Sequence, residues 1–168
     1  ALSLNSVRNF LKNALPTASI FMISTALLEK KLQLLVEYLD ELRPIAITMS
    51  SDDILQDNFK YHTAERVFQL VVDTMIDINI HIIKESIAAA PDDLQSTFST
   101  LADHAILPRN FADKIAPTVG LRNRVVHRYE SLQRKTFVEL LKENFSDFEQ
   151  YLSLIQEYIE KVKTKTAS

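Results

Sequence analysis

Apolar positions recur along this chain at helical spacing. Between Thr17 and Arg43, the residues Phe21, Leu28, Leu32, Leu35 and Leu39 fall at intervals of three, four and seven, which gives a helix one apolar face. Pro44 is predicted to end that helix, because its ring clashes with the preceding turn. A second pattern runs from Ser51 to Ala90. It opens on Ser51-Asp52-Asp53, a capping residue followed by acids that suit a first turn. Leu55, Phe59, Val67, Leu70, Val71, Ile78 and Ile82 mark its expected buried stripe. Residues 76–82 alternate like a strand, but helical pattern flanks them and no turn residue bounds them, so helix is predicted. Pro91 closes this element, which is long enough to be the central rod of a domain.

Shorter elements surround the rod. Residues 3–15 read as a helix with Val7, Phe10 and Leu11 on one face, interrupted at Pro16. Residues 92–102 form another, and a third starts at Leu107-Pro108 and runs to about Lys114. Thr118 is a plausible cap for the segment that follows. A turn is predicted over 131–135, then a last helix over 136–163. That helix points Phe137, Leu140, Leu141, Phe148, Leu152, Ile155 and Ile159 inward, with a bend at Asn144 and Ser146. The polar tail from Lys161 to Ser168 is expected to fray. No repeat or linker divides the chain. The reading is all-α, an up-down helical bundle with one long central helix, as a single domain over 1–168.

Composition narrows the alternatives. One glycine and five prolines among 168 residues leave little material for hairpin turns. With no cysteine, neither a disulfide nor a thiolate metal site is possible. His62, His81, His104 and His127 lack short metal-ligand spacing, so neither zinc nor any other cofactor is expected. His81, between Ile80 and Ile82, reads as a packed histidine. No apolar run reaches the ~18 residues of a membrane span. No signal peptide is read, and a cytoplasmic location is expected. The net charge of -3 offers no global attraction to nucleic acid, so any such binding must be local.

The densest chemistry lies in Gly120-Leu121-Arg122-Asn123-Arg124-Val125-Val126-His127-Arg128-Tyr129, which holds the only glycine. Leu121, Val125 and Val126 would anchor the segment to a core. On a helix, His127 shares a face with Asn123 and Arg124. Arg122 lies about 140° away at ~100° per residue. Arg122 and His127 therefore meet only if the turn after Gly120 is irregular, or if a second copy faces the first. Arg109, Lys114, Arg122, Arg124, Arg128, Arg134 and Lys135 crowd this region, opposed in sequence by Asp113 and Glu130. Such a patch is commonly a solvated face. Its coincidence with the motif favours a phosphate-bearing ligand.

The pattern Arg122-Asn123-x-x-x-His127-x-Tyr129 resembles the signature of the HEPN superfamily, and within it the HepT toxins. Residues 64–70 and 76–83 resemble the family's long central helix, and 98–107 its short connecting helix. The resemblance covers 45–163, with 1–44 as an N-terminal helical extension. It implies a homodimer in which paired motifs form one cleft, and an endoribonuclease toxin of a toxin–antitoxin system.

Metal-independent cleavage needs a base for the 2′-OH and a cation on the phosphate. His127 is the expected acid/base, Arg122 the phosphate clamp and Asn123 a positioning residue. Arg109, Lys114, Arg124 and Arg128 are expected to bind RNA, with transfer and messenger RNA both open. Glu65 and Arg66 read foremost as solvated residues or members of intrachain ion pairs, and otherwise one of them as a partner supporting His127. By resemblance, Tyr129 is where a cognate MntA-like nucleotidyltransferase antitoxin attaches AMP. The alternative is a non-catalytic helical subunit that holds substrate for a nucleotidyltransferase.

Overall fold

A computed structural model describes residues 25–87, 90–126 and 133–166 of the chain. The expectations for 1–24, 88–89, 127–132 and 167–168, which include His127, Arg128 and Tyr129, lie outside the described residues. Among the described residues the elements are all helical. They are α1 (Thr25–Arg43), α2 (Ser51–Gln56), α3 (Asn58–Ile82), α4 (Ser96–Asp103), α5 (Arg109–Ile115), α6 (Pro117–Val126) and α7 (Arg134–Thr166). No helix among them is long and apolar enough to cross a membrane.

The leucine stripe of α1 is as patterned: Leu28, Leu32, Leu35, Leu39 and Leu42 are buried, and the helix packs along α3 and α7. At Pro44 the α-helix ends, but the chain continues as a π-helical turn over Pro44–Thr48. Lys142 of α7 ties that turn down, donating from Nζ to the carbonyls of Ala46 at 3.1 Å and Met49 at 2.5 Å. Otherwise orphaned carbonyls at a helix end are thereby satisfied.

The central rod is not continuous from Ser51. The capping residue is Ser50, which forms a reciprocal box with Asp53. The helix then breaks at Asp57, whose backbone is extended and whose carboxylate caps Phe59 N at 2.9 Å and Lys60 N at 3.2 Å. A side chain that offers this cap competes with helix continuation. The break rotates the stripe, so Ile54 and Tyr61 are buried while Phe59, expected inside, is 81% exposed. Val67, Val71, Ile78 and Ile82 are buried as expected, whereas Leu55 and Leu70 are half-buried. The strand-like alternation at 76–82 is helix, as predicted, and a π-helical turn follows over Ile83–Ile87.

The remaining boundaries moved for local reasons. Helix α4 starts at Ser96 rather than 92, because Asp93 Oδ1 accepts from Ser96 N at 2.7 Å and holds a turn there. Thr118 is not a cap: it lies inside α6 and donates to Ile115 O at 2.7 Å. In α7 no break occurs at Asn144 or Ser146. The Asn144 amide donates to Leu140 O at 2.7 Å, keeping its polarity on its own helix. Nor does the tail fray after Lys161, since α7 runs to Thr166 and Lys163 pairs with Glu29 of α1.

The core is aromatic where α3 and α7 meet. Phe68 and Phe137 stack edge-on with centroids 5.5 Å apart, and Phe145, Phe148 and Tyr151 are fully buried. One polar network crosses it. Tyr151 Oη donates to Asn79 Oδ1 at 2.7 Å, and Asn79 Nδ2 donates to Thr97 Oγ1 at 3.1 Å, joining α7, α3 and α4. Burial pushes the Tyr151 phenol well above its ordinary range, so it stays a donor.

Candidate functional site

Helix α6 begins with Pro117, whose fixed φ and missing N–H suit a first turn. Thr118, Leu121 and Val125 are buried. Arg122 shares their face, four residues after Thr118 and three before Val125. Its side chain is only 23% exposed, so the guanidinium needs a carboxylate. Asp73 of α3 supplies it, with Oδ1 2.7 Å from Arg122 Nε. The contact is charge to charge, because the Nε hydrogen is not aimed along that line. Arg122 Nη1 donates to Asn123 Oδ1 at 3.1 Å. Arg122 and Asn123 are therefore in contact on α6, and Asp73 is a third member that sequence reasoning missed. A lone carboxylate between Val72 and Thr74 in an apolar stretch was the available signal.

Gly120 is an ordinary helical residue within α6, without positive φ. The irregular turn that would have swung Arg122 toward His127 is absent.

Glu65 and Arg66 both lie on α3. They do not pair with each other. Glu65 Oε2 lies 2.9 Å from His62 Nδ1, and Arg66 is exposed. Beside them Arg134 sits with its guanidinium carbon 3.9 Å from the Tyr61 ring centroid and donates to Asn58 Oδ1 at 3.0 Å. Burial, then the Glu65 carboxylate, pushes the Tyr61 phenol above its usual range.

The basic patch is partly neutralised by acids other than Asp113 and Glu130, one of them distant in sequence. Arg109 pairs with Asp103, and Lys114 pairs with Asp147 at 2.6 Å. Lys135 lies 3.8 Å from Glu139. Arg124 is exposed and has no acid partner among the described residues. Asp113 and Glu130 were thus not the only opposing charges.

An all-α bundle that carries an Arg-Asn pair on a short helix, clamped to a long rod, belongs to the HEPN-like class. Within that class, the chain belongs to the ribonuclease HepT-like family, whose model matches residues 35–155. It is 30% identical over 137 residues to the tRNA nuclease HepT of Aphanizomenon flos-aquae, covering 82% of this chain and 92% of that protein. It is 30% identical over 88 residues to the mRNA nuclease HepT of Shewanella oneidensis, covering 52% of this chain and 66% of that protein. The fold matches the tri-AMPylated Shewanella oneidensis HEPN toxin solved in complex with its MNT antitoxin. There the TM-score is 0.70 at 22% identity, covering 77% of this chain and 96% of the other. A cytosolic Bacillus subtilis protein of unknown function matches with a TM-score of 0.70 at 16% identity, covering 83% of this chain and 92% of its own.

Proposed function

We propose that this protein is an endoribonuclease toxin of a toxin–antitoxin pair, working without metal as a homodimer. The observation that carries the reading is the Arg122 guanidinium, held by Asp73 and Asn123 on the helix that leads into His127 and Tyr129. A guanidinium with its Nε side anchored keeps donors free for a phosphate, whose negative charge grows during cleavage. His127 takes the 2′-OH proton as the oxygen attacks phosphorus, or returns a proton to the leaving oxygen. Arg124 and Arg128 hold flanking phosphates. The relatives that act on transfer RNA and messenger RNA support RNA as the substrate class.

The homodimer supplies what one α6 does not, a histidine facing the arginine of its partner. Control falls to a nucleotidyltransferase antitoxin, as in the matched Shewanella complex. The Tyr129 phenol oxygen attacks the α-phosphorus of ATP and pyrophosphate leaves. The bound AMP then places bulk and negative charge where substrate phosphate would sit.

The test is RNA cleavage by purified protein with a chelator present. The His127→Ala and Arg122→Ala variants are expected to be inactive alone. Mixed subunits of the two should recover activity, because one cleft of the heterodimer then holds both native groups. Full activity of His127→Ala would overturn the reading. Expression alone should arrest growth, with rescue by the cognate transferase and a mass shift on the Tyr129 peptide. A chain that only binds substrate would not arrest growth.

A further inference from the structure

We propose that α3 carries a docking strip for single-stranded RNA, running from Phe59 through His62 and Arg66 toward the Arg122–Asp73 pair. The proposal rests on the ribonuclease reading above. Phe59, Arg66 and Asp73 are each seven residues apart, two helical turns, so they follow one line along the rod with a drift of about 40°. At ~1.5 Å per residue, Arg66 lies about 10 Å and Phe59 about 21 Å from Asp73 along the axis.

Each member is presented outward for a structural reason. The cap at Asp57 starts α3 one residue before Phe59 and turns its ring into solvent, 81% exposed. One turn on, Glu65 holds His62 by Nδ1, which leaves Nε2 directed away from the carboxylate on a side chain 63% exposed. Arg66 has no acid partner among the described residues. Alongside, Arg134 is fixed against Tyr61 and Asn58 at the start of α7.

The acids at this end are engaged, Asp57 in capping and Glu65 with His62, so the outward chemistry is aromatic and cationic. A ring face for an unstacked base, with cations beside it for the phosphates, is how single strands are held without base pairing. A protein partner seeking Phe59 would find polar His62, Thr63 and Arg66 around it rather than further apolar area.

The test measures binding by the full chain of a 2′-O-methyl single strand of roughly twelve nucleotides, which lacks the attacking hydroxyl. Phe59→Ala is expected to weaken binding about tenfold, and Phe59→Tyr to preserve it. Arg66→Glu should weaken it and flatten the salt dependence by ~0.7 or more in log–log slope. Unaltered binding of the longer strand by Phe59→Ala overturns the strip. So does a Phe59→Ala effect that appears instead as loss of the dimer or of antitoxin binding. A parent chain that neither binds nor cleaves RNA overturns the ribonuclease reading itself, a result distinct from either of these.

Discussion

Asp73 on α3 and Arg122 on α6 stand 2.7 Å apart, Oδ1 to Nε, and this pair fixes the Arg122 guanidinium to the rod. With the two side chains 41% and 23% exposed, the pair contributes at most about 1 kcal/mol to stability. Its value lies in aim. Asp73→Ala is expected to lower RNA cleavage at least tenfold while Tm moves by no more than a few degrees. Arg122→Lys should lose as much, since an ammonium lacks the fork that spans carboxylate and phosphate together. Parallel cleavage assays and thermal melts check both.

Gly120 sits inside α6, and a Cβ added there meets nothing within 4 Å. A helix-interior glycine costs roughly 1 kcal/mol relative to alanine. Gly120→Ala should therefore raise Tm by about 2–4 °C in a domain of this size. A lowered Tm in the isolated protein would show that the open space is occupied by another chain.

The Ser50–Asp53 box gives stability a defined acid limb. The Ser50 side chain, foremost, holds the Asp53 carboxyl below its ordinary value of 3.8. A lowered folded-state pKa stabilises above the unfolded value and is lost as pH falls through the folded one. Ser50→Ala should thus lower Tm by a few degrees at neutral pH, with the difference from the parent shrinking below about pH 4. Melting curves across that window measure it.

Tyr151 donates to Asn79 Oδ1 and to Met75 O inside the core. Tyr151→Phe leaves Asn79 Oδ1 without its donor, while Met75 O keeps its place in the α3 ladder, and is expected to cost about 1–3 kcal/mol. Activity per folded molecule should stay unchanged, because the network lies away from α6.

The amphipathic leucines of α1 and the inward aromatics of α7 were legible because each helix repeats one period over several turns. Arg122 and Asn123 stood out as candidates because they adjoin in one local motif, although the contact between them was not foreseen. Phe59 was misread because the stripe was extrapolated through Asp57, where a side-chain cap resets the helical phase. Asp73 was missed because its partner is forty-nine residues away, and pairwise charge contacts across helices leave no periodic trace. The same holds for Arg109 with Asp103 and Lys114 with Asp147.

Lys114 looks like one more solvent-facing cation, yet Asp147 beneath it is 3% exposed by side chain; the lysine bonds its Oδ1, and its Oδ2 has no hydrogen-bond partner. Removing the lysine strands a carboxylate in the interior, whereas exchanging Asp147 for leucine relieves it. A charge-neutralising scan of this surface would then confound unfolding with lost ligand affinity at that position. The double replacement of Lys114 and Asp147 is the proper control for any such scan.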